Sequence, residues 1–476
     1  MGRPPIDRRP NALLAYWLDR TGMSNAAFAR AVTIRAAELG EQHVTADESS
    51  VRRWLKRGET PRSPLSQIIC DVISERLGEH LTLTDLGFGP REAQHANHPD
   101  LPWEASSTIG ALAHIIRSEH MLPTTRTTEE LRSVHAGPLL LDSLQNWITA
   151  PSSVADASPS NATTAGGRIG MTDVENIRAV TSTFRDLDNR HGGALSRKAV
   201  IGQLDEAVGM LSGNYTAETG RALFSAVADL GSVAGWMSFD AGRHTAAQRI
   251  FVTALRAASQ GEDKALGAHL LQCMARQMSH LGHYEDALDL VELAQYGARR
   301  RLSPASMSML ASLEARFHAI LGNLDASERA AGQAQDAFTR ITPGEEPQHL
   351  AFFDEPELCA TLGIAHQIAA KAGTGAHRAR RAEKSTTLIK QALAHRPEHR
   401  VRSKAFDHLG LARTHLAVGE VDGAHEETCR ALGLFGTISS RRVADRLVEL
   451  HDEAEPFANG HTGSELRQLI VAAVQR

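Results

Sequence analysis

Small residues recur at fixed offsets through the carboxy-terminal half of the chain, and that recurrence leaves few folds open. With Ala247, Ala287, Ser327 and Ala424 as anchors, the position twelve residues earlier holds Gly235, Ala275, Ala315 and Ala412. The position seven residues later holds Ala254, Ala294, Ala334 and Ala431. Gly242, Gly282 and Gly322 precede the first three anchors at 40-residue intervals and mark turns. Two antiparallel helices joined by a short glycine turn cross closely only where both present small side chains, with larger neighbours filling the groove. Each unit therefore reads as a helical hairpin whose apolar face is buried by the next hairpin. A degraded fifth unit uses Gly373, Ser385, Ile389 and Ala392, giving anchor separations of 40, 40, 58 and 39; the 58 reflects an insertion around residues 342–356. An alanine-rich bundle whose small residues recur through composition is the other arrangement that produces such a pattern.

The offsets resemble the tetratricopeptide repeat, although the period exceeds that family's usual length of about 34 residues. No aromatic opens the first helix of each unit and no proline closes the second. Before the first unit, residues 172–215 read as two helices broken at Gly192-Gly193. After the last, residues 438–476 read as two amphipathic helices that cap the stack, since a terminal repeat must hide its outer apolar face.

The amino-terminal part has a different pattern. Four helical segments lie between Asn11 and Gly78. The first carries Leu13, Leu14, Trp17 and Leu18 and stops near Gly22; the second starts at Ser24 and carries Phe28, Ala31 and Val32. In the third, Thr45 and Glu48 form a capping-box signature, Val51, Trp54 and Leu55 make an inward stripe, and Gly58 ends the helix. Ser49, Ser50, Arg52, Arg53 and Lys56 are left facing outward. The fourth, after Pro64, shows Leu65, Ile68, Ile69, Val72, Ile73 and Leu77 and reads as core support. This order suits a compact helix-turn-helix domain, except that Val32–Val44 is longer than the tight turn of that class.

The net charge of −5 is uninformative until divided along the chain. Residues 1–89 carry 12 Lys+Arg against 11 Asp+Glu, but the thirteen residues Ser50–Arg62 hold Arg52, Arg53, Lys56, Arg57 and Arg62 against Glu59 alone. Hydroxyls and guanidinium groups on the first turns of a helix suit base edges, and cations farther along suit phosphates. Arg52 and Arg53 are the candidates for reading bases; Lys56, Arg57 and Arg62, with Arg8, Arg9 and Arg30, are candidates for phosphate contacts. The bland counterpart is a solvated helix face.

Composition excludes several classes. With 42% hydrophobic and 22% charged residues over 476 positions, the chain is globular and long enough for two to four domains. No apolar run approaches the roughly 20 residues that span a bilayer, and MGRPPIDRRP lacks the apolar core of an export signal; the expected compartment is the cytoplasm, without a membrane. Cys70, Cys273, Cys359 and Cys429 are too dispersed for a disulfide framework or structural zinc, so buried free thiols are expected. No GxxxxGK[ST], HExxH or GxSxG motif and no convincing GxGxxG marks an enzyme, so no catalytic residue, cofactor or metal is assigned. His280 and His283 lack a third ligand at sensible spacing, the Asp186-Leu187-Asp188-Asn189 cluster reads as a polar helix end, and the basic stretch Arg378–Lys404 reads as a solvated convex face.

Four segments, RPNALLAYWL, VRRWLKRGETPR, FRDLDNRHGGALSR (184–197) and AGWMSFDAGRHTAAQR (234–249), carry a further likeness. Here the chain resembles NsdA-type regulators, an actinobacterial family that joins a DNA-binding head to a tetratricopeptide-like body. Arg52, Arg53 and Trp54 are the matching positions; no ligand residue is implied. The resemblance implies a regulator of development or of antibiotic production, sporulation included. The expected fold class is all-α: a helix-turn-helix domain over residues 1–89, a helical connector over 90–150, a flexible linker over 151–170, and a tetratricopeptide-like α-solenoid over 171–476. The expected partners are double-stranded DNA, a second copy of the chain contacting through the 106–149 helices or the body, and a peptide, small molecule or protein effector in the repeat groove. The competing expectation is an interaction scaffold of tetratricopeptide type without specific DNA binding.

Overall fold

Capping side chains set the ends of the first helices. In the computed structural model, the described residues are 10–41, 43–77, 81, 83, 86–88, 102–121, 134–154 and 169–475. They form twenty α-helices and no strand. The chain divides into two units, Met1–Leu101 with Met121–His135, and Pro102–His120 with Ala136–Arg476.

The first unit, the head, holds α1 (Ala12–Arg20), α2 (Asn25–Glu38), α3 (Glu48–Arg57) and α4 (Leu65–Leu77). Asn11 caps α1, accepting the Leu14 N–H at 3.0 Å and donating to the Leu86 carbonyl at 2.8 Å. Ser24 caps α2 through the Ala27 N–H at 3.2 Å. Helix α3 starts at a different cap from the expected one. Asp47, rather than Thr45, accepts the Ser50 N–H at 2.7 Å, so the Thr45–Glu48 box does not form. A carboxylate both accepts that N–H and faces the positive end of the helix dipole. Thr45's neighbour Ala46 is already tied to α2, donating to Thr33 Oγ1 at 3.1 Å. That tie anchors the long α2–α3 loop. Gly58 closes α3 at φ 56°, the left-handed conformation that favours glycine. Trp17, Phe28, Val32, Val51, Trp54 and Ile69 pack into one core.

The second unit, the body, begins with α5 (Ala105–Met121) and α6 (Pro138–Gln145), followed by α7 (Met171–His191) and α8 (Gly193–Met210). Five hairpins follow: α9 (Ala217–Asp240) with α10 (His244–Gln260), α11 (Lys264–His280) with α12 (Tyr284–Ala298), α13 (Pro304–Ile320) with α14 (Leu324–Phe338), α15 (Glu355–Ala372) with α16 (Gly375–His395), and α17 (Val401–Ala417) with α18 (Val421–Phe435). Helices α19 (Arg441–Glu453) and α20 (His461–Val474) end the stack. In the four regular units the anchors and their small partners are all buried. Gly235 shows why they are small: a Cβ there would lie 2.5 Å from the Phe251 ring. Turn glycines Gly242, Gly282, Gly322 and Gly419 take φ of 77°, 88°, 80° and 81°.

The fifth unit departs from its expected register. Gly373 caps α15, and the glycine at the helix crossing is Gly363, whose Cβ would meet Ile389 at 2.6 Å. Both helices of this hairpin are lengthened toward their shared turn, which moves the close approach away from the twelve-residue offset. Helix α9 is long and apolar enough by composition to cross a membrane, although Glu218, Arg221 and Asp229 interrupt it, and 78% of its most apolar window is buried inside the protein. It serves here as a core helix. Of the cysteines, Cys70, Cys273 and Cys359 are buried, but Cys429 is exposed.

The stretches flanking α5 and α6 pack on the hairpins. Trp147 is fully buried, and Cβ atoms at Gly267 and Gly297 would lie 2.5 and 2.3 Å from its ring. Lys264 donates to the Trp147 carbonyl, with its ammonium 4.8 Å from the ring centroid. Gln260 donates to the Trp103 carbonyl at 2.8 Å and accepts the Ser153 N–H at 2.8 Å. Leu131 and residues 155–168 of the expected linker lie outside the described residues.

The two ends of the repeat stack meet. Helix α7 packs on α17, and α9 on α19. At this seam Arg402 donates to Asp188 at 2.7 and 3.1 Å and to Asp240 at 3.0 Å, while Ser440 donates to Asp240 at 2.9 Å. Burial would raise the Asp240 carboxyl, but Arg402 and Arg442 outweigh it and hold it below the usual carboxylate range. Arg396 is likewise interior, bonded to Asp407 at 2.6 and 3.2 Å. The stretch Arg378–Lys404 is therefore not merely a solvated face, because its partners come from distant helices.

Candidate nucleic-acid interface and an interior arginine cluster

An amphipathic helix buries one stripe and offers the other to solvent. In α3, Val51 and Trp54 face the core, while Ser49, Arg52, Arg53, Lys56 and Arg57 are exposed and Ser50 is half-buried. Arg62 is exposed in the segment leading to α4. The Asp47 carboxyl is held below its usual range by the Ser50 hydroxyl and N–H, which keeps the cap charged. Arg52 donates to Glu48 at 2.9 Å, one turn back. Arg53 donates to Ser50 Oγ at 3.0 Å and lies 3.5 Å from Glu59. These contacts lie along the exposed surface, where an ion pair contributes about 0–1 kcal/mol, so both guanidiniums can exchange them for another acceptor. Lys56, Arg57 and Arg62 have no partner among the described residues. Arg30 is exposed on α2, and Arg8 and Arg9 lie outside the described residues. Ser49, Ser50, Arg52, Arg53, Lys56, Arg57 and Arg62 thus fall on one helix and the segment after it.

A second cluster of cations, which the sequence signals did not mark, lies inside the body. A cavity of about 220 Å³ is lined chiefly by the first helices of the hairpins, with α7, α19 and the insertion residues His349 and Phe352. Trp236, Arg276, Arg316, Ile364 and Arg413 line it, each the residue directly after the small crossing position of its unit. The repeat register thus aims one equivalent position of five units at one space. Arg442 and Arg446 reach it from α19.

Most of these cations are neutralised. Arg413 lies 3.3 Å from Glu449, and Arg446 donates to the same carboxylate at 2.5 and 2.7 Å. Arg276 is 3.6 Å from Glu357, which Arg396 also holds at 3.1 Å. Arg442 lies 3.5 Å from Asp240 and over the rings of Trp236, Phe239 and Phe406 at 4.7, 4.6 and 5.1 Å. Arg316 has neither a hydrogen bond nor an ion pair among the described residues, and its Nε is shielded from solvent. Burial, reinforced by Arg446, Arg276, Arg413 and Arg442, lowers its guanidinium to about 9. It stays charged near neutral pH.

Among the described residues, no group of three or more His, Cys, Asp or Glu is placed to hold a metal. His280 contacts Asp445 at 3.2 Å, and Asp188 of the polar cluster is consumed by Arg402. Among curated proteins none matches the chain. Residues 14–89, from within α1 through the end of the head's core, match the family described as the SP15 N-terminal domain.

Proposed function

We propose that the chain is a DNA-binding transcriptional regulator of development or secondary metabolism, with a helix-turn-helix head and a tetratricopeptide-like body that receives an effector, dimerises, or does both. The observation that carries this reading is α3: a capped, ten-residue helix whose buried Val51 and Trp54 fix its orientation while Arg52, Arg53, Lys56 and Arg57 project from the opposite face. A helix of about that length fits the major groove, with guanidiniums for guanine edges and cations beyond for phosphates. The likeness of VRRWLKRGETPR and RPNALLAYWL to the actinobacterial regulators supports the same assignment. A homodimer would match a two-fold symmetric operator.

Gel shifts of the full chain on promoter fragments test this. Arg52→Ala and Arg53→Ala should each cost about 1–3 kcal/mol and relax base preference, whereas Lys56→Ala should weaken all sequences alike and reduce the salt slope by about one. A second reading has an observation of its own: Arg52 and Arg53 already engage Glu48, Ser50 and Glu59, as cations on a solvated face do. Absence of retention at low salt would favour that reading, a repeat scaffold without base readout.

A further inference from the structure

Nothing in the repeat pattern requires the position after each crossing residue to be charged; a hairpin stack is stable with apolar or small residues there, as Ile364 shows. Yet Arg276, Arg316 and Arg413 occupy it in three units and converge on the cavity, joined by Arg442 and Arg446. Taking a cation out of water costs several kcal/mol unless it is paired and hydrogen-bonded. Arg316 is neither. Arg276 Nη2 and Arg442 Nη1 are also shielded from solvent without a hydrogen-bond acceptor. Arg316 has no acceptor, Arg276 Nη2 has none, and Arg442 Nη1 has only Asp240 at 3.5 Å, so the set is complementary to oxyanions, whose oxygens accept several charge-assisted bonds at once. The wall beside them is aromatic, with Trp236 and Phe406 flanking Arg442.

We infer that this cavity is a binding site for a small organic oxyanion, a phosphate ester or a di- or tricarboxylate, whose charge is held by Arg276, Arg316 and Arg442 and whose carbon skeleton rests against Trp236 and Phe406. The volume suits a small molecule and excludes a folded partner. Binding rests on the geometry of the body alone. The ligand's role as effector of a regulator rests on the function proposed above, so the two are tested apart.

Binding is measured on the full chain without DNA, by titration calorimetry and thermal melting, with pyrophosphate, AMP and citrate as probes. At least one probe should bind with a stoichiometry of one and raise Tm by about 3–8 °C at a hundredfold excess over its Kd. Preference for AMP or pyrophosphate assigns a phosphate; preference for citrate assigns a carboxylate. Arg316→Met should abolish the shift and raise the Tm of the unliganded chain, since it removes an uncompensated charge while keeping bulk. A purely structural arginine would give the opposite sign. The exposed Arg329→Met should leave both readings unchanged. Absence of binding by all three probes at millimolar concentration, or equal binding by Arg316→Met and the wild type, would overturn the assignment. Loss of DNA binding with anion binding intact would instead overturn the regulator reading and leave the site standing.

Discussion

Head and body both concentrate arginine, and they place it oppositely. In the head, Arg52, Arg53, Lys56 and Arg57 stand on the exposed face of one helix, with partners within a turn or two of the same chain segment. In the body, Arg396, Arg402 and Arg442 are drawn inward and meet acids that lie 11 to 214 residues away in sequence or on other helices. The first arrangement leaves charge available to a polyanion and contributes little to folding. The second makes charge part of the fold, so that removing one partner strands the other.

The largest test of that contrast is the seam. Arg402→Ala leaves Asp188 and Asp240 buried without their shared cation and should cost the body about 3–5 kcal/mol, read as a lowered midpoint in urea. Arg52→Ala should move that midpoint by less than about 0.5 kcal/mol. Comparable losses in the two variants would erase the distinction.

Acid should separate the units next. Burial, with His280 nearby, lowers His244 to about 4, and burial with Lys384 lowers His366 to about 4; His269 and His349 are lowered too, first by burial. A histidine whose folded pKa lies below its unfolded value of about 6.5 stabilises the fold above that value and loses the contribution as pH falls toward its folded pKa. The body should therefore weaken between pH 6.5 and 4, by up to about 1.4 kcal/mol per pH unit for each such group. No histidine is buried among the head's described residues, so its calorimetric transition should move less over the same range. A body transition that stays constant from pH 7 to 5 would contradict the neutral, buried histidines.

A smaller effect is expected at the repeat crossing. Gly235→Ala pushes a methyl into the Phe251 ring and should destabilise the body by about 1–3 kcal/mol, whereas Ala substitution at Gly332, which has open space around its Cβ, should be near neutral or stabilising by a few tenths. The smallest perturbation is chemical. Burial pushes the Cys273 thiol up to about 12 and the Cys359 thiol up to about 11, and Cys70 donates to the Leu81 carbonyl. Of the four thiols, only exposed Cys429 should react quickly with a maleimide in the native state, as mass spectrometry would show.

The parts of the fold legible in sequence are those fixed by local or periodic rules. Ala247, Ala287 and their partners announce hairpins because steric exclusion acts at a constant offset. Val51 and Trp54 announce the buried side of α3 because three- and four-residue spacing defines a helix face. Where two local solutions compete, the pattern alone does not choose: Thr45 and Asp47 are both competent caps, and the choice follows from the Ala46–Thr33 bond across the loop. Gly373 sits at the expected offset, but the longer hairpin moves the crossing to Gly363. The interior cluster is only half legible. Repeat register aligns Arg276, Arg316 and Arg413, yet whether that position faces bulk solvent or a shared cavity depends on how α7 and α9 meet α17 and α19, which no local rule encodes. Arg396 and Arg402 read as surface charge for the same reason.

Footprinting of the wild-type chain and the Arg52→Ala, Arg53→Ala double variant on genomic fragments at physiological salt tests the central assignment most directly. Protected sites with two-fold symmetry and half-sites about one helical turn apart, lost or blurred in the double variant, are the expected result. Wild-type protection without sequence preference, or sites that the double variant occupies unchanged, would contradict a reading of DNA by α3.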